Sequence, residues 1–143
     1  MTEPKLKFTF LQFTDYDYQN KTNEVISGYN VLFKRGFKIT FDAERTKGFF
    51  QVGIGVGFDN GIEPLVVANL LTILEFTTID GQKIQSKPDI SEFVKVIQMA
   101  TAHLRSVVYF DSYTKGNGNL IIPIESDETI YDAVRVELSK KLN

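Results

Sequence analysis

The first half of the chain alternates between apolar and polar residues in four stretches. A period of two is typical of β-strands that bury one face. The predicted strands are residues 5–13, 31–43, 48–58 and 65–79, joined as an antiparallel meander. Residues 15–30 have no clear period and are predicted to be a long connection or an irregular edge strand. A break at Arg35-Gly36 indicates a bulge in the second strand.

The third stretch has one apolar face and one bare face. Its apolar positions are Phe50, Val52, Ile54, Val56 and Phe58, and its other positions include Gly53, Gly55 and Gly57. Glycine inside a strand costs roughly 0.5–1 kcal/mol relative to alanine, because it orders more backbone and packs nothing. Three alternating glycines therefore indicate that an overlying loop or an extended polypeptide approaches this face closely.

The second half of the chain has the period of two helices. The first is predicted at residues 89–109, where Asp89 and Glu92 form a capping-box pattern. Its core-facing stripe is Phe93, Val96, Ile97, Ala100, Leu104, Val107 and Val108. The opposite side is only half polar, so we expect it to be buried as well, with another copy of the chain as the candidate partner.

A glycine-rich loop at residues 115–119 separates this helix from a short apolar run and a final helix. The final helix is predicted to begin at about Asp127, with Ser126 as its N-cap. Its predicted core stripe is Ile130, Tyr131, Val134, Leu138 and Leu142. The element order predicts an α+β fold in one domain spanning residues 1–143.

Composition excludes several classes of function. The chain has 143 residues, a formal net charge of -2 and no cysteine. Disulfides, thiolate zinc sites, iron–sulfur clusters and cysteine nucleophiles are therefore excluded. A mildly acidic chain lacks the basic surface that binds nucleic acid. No apolar run is long enough for a membrane span and the N-terminus lacks a signal-peptide pattern, so we expect a cytoplasmic protein.

The glycines of the third strand are close to a dinucleotide-binding fingerprint. That fingerprint requires a strand, a tight turn and then a helix whose amides face the pyrophosphate. Here Gly53, Gly55 and Gly57 lie inside the predicted strand, and another apolar run follows instead of a helix. The pattern is therefore interpreted as structural, and no nucleotide is expected.

Other candidate catalytic residues also have structural explanations. Ser112 and Lys115 have the spacing of an acyl-transfer pair but lead into a glycine loop. His103 is the single histidine, so a metal site would consist almost wholly of carboxylates. Asp15 and Asp17 could pair as in a glycosidase, but their polar surroundings are typical of a solvated loop. We expect no enzymatic activity and no cofactor.

The element order and three short segments resemble the SecB export-chaperone family. The segments are Ala102-His103-Leu104-Arg105-Ser106-Val107-Val108, the glycine turn from Gly116 to Gly118, and Leu120-Ile121-Ile122-Pro123-Ile124. The strand Gly48-Phe49-Phe50-Gln51-Val52 also resembles the third strand of that family.

The resemblance implies a SecB-like fold with a four-stranded antiparallel sheet and two helices packed on one face. It also implies a homotetramer, a dimer of dimers with helices sandwiched between sheets. Such proteins hold unfolded or preprotein chains without nucleotide and serve protein export, with the translocase motor as a partner. The sequence leaves open whether this chain docks that motor or serves a toxin–antitoxin system.

A polypeptide-binding surface is predicted from residues that fall outside the inward registers. The candidates are Tyr16, Tyr18, Tyr29, Phe33, Phe49, Gly53, Gly55 and Gly57. An alternative is a non-enzymatic module that binds a small, lipid-like molecule in an apolar pocket. That pocket is predicted to be lined by Phe8, Phe10, Phe37, Phe41 and Phe50. A purely structural oligomer subunit is a further alternative.

Overall fold

The computed structural model describes residues 6–78 and 90–142. Four strands precede two helices in this part of the chain. The elements are β1 (Leu6–Asn20), β2 (Asn30–Phe41), β3 (Lys47–Asp59), β4 (Pro64–Thr78), α1 (Ile90–Thr114) and α2 (Asp127–Leu142). The strands form one antiparallel four-stranded sheet in the order β1-β4-β3-β2. The α+β prediction is confirmed, but the simple meander is wrong, because β1 pairs with β4 rather than with β2.

The strand register divides the sheet into two faces, here called inner and outer. Residues directly opposite each other in an antiparallel pair share a face. The predicted apolar side of β3 lies on the inner face, where Phe50, Val52, Ile54, Val56 and Phe58 are all at most 2% exposed. Their buried neighbours on β4 include Val66, Ala68, Leu70, Leu74 and Phe76. The core therefore lies on this side of the sheet.

Both helices pack on the inner face. α1 contacts β1, β3 and β4, whereas α2 contacts β2 and α1. The ring of Phe93 on α1 lies 5.3, 5.0 and 5.1 Å from the ring centroids of Phe8, Phe50 and Phe76, in edge-on contacts. Edge-to-face aromatic pairs add to the stabilisation from area burial. No described element covers the outer face, where Phe49 and Gln51 are exposed.

Strand β1 is longer than predicted. Register shifts between Phe10 and Gln12 and between Gln12 and Asp15 interrupt its pairing with β4. After these shifts the strand continues to Asn20, which extends it into the stretch predicted as a connection or an irregular edge strand. The irregularities hide the alternation from a period-two search, because each shift moves the following side chains to the other face.

Strand β2 has no bulge. Its pairing with β3 is continuous from Asn30 to Phe41, so the bulge predicted at Arg35-Gly36 is wrong. The sequence breaks its alternation there because Arg35 is a charged residue on the inner face. Its guanidinium forms an ion pair with Glu125, which precedes α2. Burial lowers the pKa of Arg35 from its ordinary value.

Helix α1 continues five residues beyond its predicted end at Tyr109 and reaches Thr114. The predicted core stripe is confirmed, with Val107 partly buried and its other members buried. Val94 and Thr101 are also buried within the chain. Asp89, the predicted cap, lies outside the described residues.

Helix α2 begins as predicted. The Ser126 hydroxyl accepts a hydrogen bond from the backbone N–H of Thr129 at 3.2 Å, which is the geometry of an N-cap. Ile130, Val134 and Leu138 are buried as predicted. Tyr131 was predicted in the same stripe but is 44% exposed, because it faces the groove between the two helices. The side chain of Leu142 lies outside the described part of the chain.

Candidate functional site

The solvent side of α1 carries large apolar residues. Met99, Phe110 and Tyr113 are 61%, 65% and 69% exposed, and Tyr109 beside them is also exposed. Helical spacing places them on one side of the helix with two small exposed residues, Ala102 and Ser106, between them. We call these six residues the α1 apolar face.

An extended segment widens this apolar surface. The run Leu120-Ile121-Ile122-Pro123-Ile124, here called the 120–124 segment, lies alongside α1. The Leu120 N–H donates to Ser112 Oγ at 3.1 Å, and Arg105 Nε donates to the Ile122 carbonyl at 2.7 Å. Leu120 and Ile122 are buried, whereas Ile121 and Ile124 are 60% and 64% exposed. The hydrogen bonds therefore hold a second row of apolar side chains in solvent.

A groove of about 650 Å³ opens between α1 and the start of α2. Gln98 fixes its geometry, because its Nε2 donates to the Glu125 carbonyl at 3.2 Å and to Asp127 Oδ1 at 2.8 Å. The groove is lined by Ser91, Val94, Lys95, Gln98, Met99, Asp127, Glu128 and Tyr131. Its walls are apolar at Val94, Met99 and Tyr131, and charges of both signs stand around them.

Three of the predicted surface residues face inward instead. Tyr18 is only 9% exposed and belongs to the core, Tyr16 is half-buried, and Phe33 packs partly buried against the core. Their prediction as exposed residues is wrong for one physical reason: they follow the inward register of strands β1 and β2. They contribute little free apolar surface.

The two inward tyrosines have specific polar partners. The Tyr16 hydroxyl donates to Asp111 Oδ2 at 2.8 Å, and the Tyr18 hydroxyl donates to Asn117 Oδ1 at 2.9 Å. Burial, reinforced by Asp111, raises the pKa of Tyr16 well above its usual range. Burial, with a smaller contribution from Asp111, raises the pKa of Tyr18 to about 12. Both groups are therefore neutral hydrogen-bond donors that fasten β1 to the C-terminal end of α1 and to the loop that follows it.

Of the other five predicted site residues, Gly57 is buried and four are at least partly accessible. Tyr29 is exposed just before β2, and Phe49 is exposed on the outer face of the sheet. Gly53, Gly55 and Gly57 also lie on that outer face. Tyr16, Tyr18 and Phe33 lie on the inner face of the sheet, whereas Phe49 and the three glycines lie on its outer face. The structure therefore does not bring the eight predicted residues together as one site.

The predicted small-molecule pocket is filled by its own rings. Phe50 is fully buried, and its centroid lies 6.4 Å from Phe8 and 6.0 Å from Phe37. Phe93 and Phe76 occupy the space between these side chains. Phe41 packs on Phe76 at 5.9 Å, and the side chain of Phe10 lies outside the described part. The described aromatic residues therefore form a packed core rather than a cavity.

Among the candidate catalytic residues, Ser112 occupies a structural position, whereas Asp15, Asp17, His103 and Lys115 are exposed. The Ser112 hydroxyl is buried and donates to the Tyr109 carbonyl at 3.0 Å. His103 is exposed. The nearby Asp111 accepts a hydrogen bond from the Tyr16 hydroxyl. Among residues 6–78 and 90–142, no group of three or more His, Cys, Asp or Glu side chains is arranged to hold a metal ion. Neither described helix is long and apolar enough to cross a membrane.

The sequence did not predict Phe110, Tyr113 or the groove as part of a surface. The helix was expected to end at Tyr109, so the last aromatic residues of α1 were not assigned to any side of the helix. The available signal was the helical spacing of Met99, Ser106 and Phe110, continued by Tyr113, on the side opposite the core stripe.

A solved structure shares this fold. It is described as the Mycobacterium tuberculosis Rv1957 SecB-like chaperone in complex with a ChAD peptide from the Rv1956 HigA1 antitoxin. The TM-score is 0.57 at 11% sequence identity, and the match covers 87% of this chain and 91% of that chain. No protein-family model and no curated protein matches this chain. The similarity therefore concerns the fold.

Proposed function

We propose that this protein is a SecB-like molecular chaperone that holds unfolded or preprotein chains on exposed apolar surface without nucleotide. One observation carries the proposal. Five large apolar side chains of the α1 apolar face and the 120–124 segment are each 60–69% exposed, and a groove adjoins them. Large contiguous apolar surface is rare on monomeric soluble proteins and usually marks an interaction site.

The chemistry of the surface suits a ligand without a fixed sequence. Met99 can adapt to many shapes, because its side chain is unbranched and polarizable. Lys95, Asp127 and Glu128 place both signs of charge around the groove, so flanking residues of either sign find a partner. The solved structure with the same fold was determined with a peptide of another protein, which supports polypeptide as the class of ligand.

We further propose a cytoplasmic homo-oligomer, a dimer of dimers with helices between sheets, that acts in protein transport and has no catalytic activity. The middle of the α1 apolar face suits a contact between copies, because the small side chains of Ala102 and Ser106 allow two helices to approach closely. The larger residues at both ends of that face then remain for polypeptide. A translocase motor is proposed as a partner on the basis of the family resemblance.

Suppression of aggregation tests the holding activity. The wild-type chain should slow the light scattering of a chemically unfolded client after dilution, in buffer without nucleotide. The double variant Phe110→Ser/Tyr113→Ser should need about tenfold more protein for the same effect, because it removes two exposed aromatic anchors. Both side chains are solvent-exposed, so folding should be retained.

A matched control uses Ile62, which is 89% exposed in the turn between β3 and β4. Ile62→Ser removes a comparable apolar side chain outside the α1 apolar face and should leave suppression unchanged. The proposal fails if the wild-type chain neither slows aggregation nor binds the unfolded client. If the Ile62→Ser variant and the double variant lose suppression of aggregation equally, the α1 apolar face is rejected as the binding site, although the holding activity itself is not.

A further inference from the structure

Polar side chains of α1 bind the backbone of the 120–124 segment along one edge. Ser112 Oγ accepts a hydrogen bond from the Leu120 N–H at 3.1 Å, and Arg105 Nε donates to the Ile122 carbonyl at 2.7 Å. Arg105 and Ser112 are seven residues apart in the sequence. That spacing is about two turns of an α-helix, so both side chains lie on the same side of α1.

The same row of side chains holds the chain just after that segment. Gln98 lies seven residues before Arg105, and its Nε2 donates to the Glu125 carbonyl at 3.2 Å. These hydrogen bonds to residues 120–125 all reach main-chain atoms, so they hold the backbone whatever its side chains. The path of the segment is therefore set before any ligand binds.

The opposite edge of the segment carries free main-chain groups. In an extended chain, successive residues direct their N–H and C=O groups to opposite edges. Leu120 and Ile122 are buried between exposed neighbours, which is the alternation of an extended chain. Because Leu120 and Ile122 direct main-chain groups to α1, the N–H and C=O of Ile121 point away from it.

Ile121 presents both of these groups at the surface. Among residues 6–78 and 90–142, neither group has a hydrogen-bond partner, and the residue is 60% exposed. Pro123, the next residue on the same edge, has no N–H. The edge therefore offers a complete donor and acceptor pair at Ile121, and the proline limits the growth of a longer sheet on it.

We propose that an extended segment of the bound polypeptide pairs antiparallel with this edge, as an added β-strand beside Ile121. One residue of the polypeptide lies directly opposite Ile121, donates its N–H to the Ile121 carbonyl and accepts from the Ile121 N–H. Its side chain lies on the same face as the Ile121 side chain. This pairing rests on the proposed holding function and specifies which atoms of an unfolded chain are recognised.

Main-chain pairing suits a ligand without a fixed sequence. Every residue except proline carries an N–H and a C=O, and in folded proteins most of these groups are already paired. An unfolded chain presents the free pair that Ile121 requires. The side chains of Ile121 and Ile124 belong to the exposed apolar surface described above, so the paired edge is continuous with that surface.

Two substitutions of Ile121 separate its main chain from its side chain. Ile121→Pro removes the N–H and puts a ring carbon in its place, so it should weaken peptide binding roughly tenfold or more. Ile121→Ala keeps both main-chain groups and should weaken binding no more than about threefold. The probe is a fluorescein-labelled peptide of alternating valine and threonine with lysine at both ends, and fluorescence anisotropy measures its binding. Alternate residues of the probe are N-methylated, which leaves one edge free and prevents the probe from assembling with itself.

A second probe tests the wild-type chain and does not depend on the folding of a variant. N-methylation of every residue removes the donors on both edges of the peptide, so this probe should bind roughly tenfold more weakly than the first. Saturation with the first probe should also slow amide hydrogen exchange at Ile121 about tenfold or more. The amide of Ile62, in the turn between β3 and β4, is the control and should exchange as in the free protein.

The pairing is overturned if Ile121→Pro binds the first probe as tightly as Ile121→Ala, or if the two probes bind the wild-type chain equally. It is also overturned if exchange at Ile121 stays unchanged when the first probe saturates the protein. In each of these cases the holding function stands, because side-chain contacts alone would account for it. A wild-type chain that binds neither probe and does not slow aggregation would instead reject the proposed function, and the pairing with it.

Discussion

The Tyr18 hydroxyl donates a 2.9 Å hydrogen bond to Asn117 Oδ1, from a position 99 residues earlier in the chain. The Asn117 amide nitrogen donates to the carbonyls of Thr22 and Glu24 at 2.8 and 3.0 Å. Its backbone carbonyl accepts from the Ile26 N–H at 2.9 Å. This fully buried side chain therefore fastens the β1–β2 connection to the loop that follows α1.

Asn117→Ala should destabilise the protein by about 3 kcal/mol, because it leaves the buried Tyr18 hydroxyl and the partly buried carbonyls of Thr22 and Glu24 without their partner. Urea denaturation followed by circular dichroism gives the difference in the free energy of unfolding. Asn119→Ala changes an exposed residue of the same loop and should stay within about 0.5 kcal/mol of wild type. Equal effects of the two variants would contradict the role of Asn117.

Alkaline pH should destabilise the protein through Tyr16 and Tyr18. Burial raises the pKa of both phenols in the folded state, whereas in the unfolded chain they ionise near pH 10 (about the ordinary tyrosine value). The unfolded state thus releases protons at lower pH than the folded state. Their stabilising contribution is complete below about pH 9 and is lost as pH rises through and above 10.

Urea midpoints between about pH 8 and pH 11 test this dependence. The midpoint of the wild-type chain should fall more steeply than that of Tyr16→Phe/Tyr18→Phe, which has no phenol to ionise at these positions. Tyr29→Phe alters an exposed tyrosine and should keep the wild-type slope. The prediction is wrong if the slope of the double variant equals that of wild type.

Gly48 and Gly36 should respond in opposite directions to alanine. Gly48 lies opposite Phe76, and a Cβ at Gly48 would collide with the Phe76 ring. Gly48→Ala should therefore cost about 1–3 kcal/mol through overpacking. Nothing lies within 4 Å of a Cβ at Gly36, so Gly36→Ala should gain up to about 1 kcal/mol by restricting the unfolded chain. Thermal unfolding of both variants checks the difference in sign.

Replacing Arg35 and replacing Glu125, the two partners of one ion pair, should reduce stability by different amounts. The Arg35 side chain is 11% exposed and that of Glu125 is 28% exposed. Glu125→Gln leaves a buried guanidinium without its counter-charge and should cost about 2 kcal/mol, whereas Arg35→Met leaves a carboxylate that reaches water and should cost less than about 1 kcal/mol. The reverse order in urea denaturation would refute this assignment.

Local patterns predicted most of the elements. Alternation identified the buried face of β3, and helical spacing identified Phe93, Ile97 and Leu104 as core. The Ser126 cap also followed from the sequence, because capping involves only neighbouring residues. By contrast, the sequence left residues 15–20 open between a connection and an irregular edge strand, since the two register shifts in β1 interrupt the period. The structure shows the edge strand.

The surface prediction failed for a related reason. Tyr16 and Tyr18 were interpreted as exposed because they fall outside the predicted inward registers, yet partners more than 90 residues away satisfy their hydroxyls. The groove between α1 and α2 could not be predicted either, because its walls come from two helices whose relative position no local pattern specifies.

The sequence by itself determined which residues share a face of a strand or helix. These include the glycines of β3, which form part of the outer face of the sheet. That information is local, because side-chain direction repeats about every 2 residues in a strand and about every 3.6 residues in a helix. Only the tertiary structure decided that β1 lies beside β4, that Tyr18 is buried, and that α1 exposes Phe110 and Tyr113. Those outcomes depend on which distant segments cover each face, and that choice is made by long-range packing.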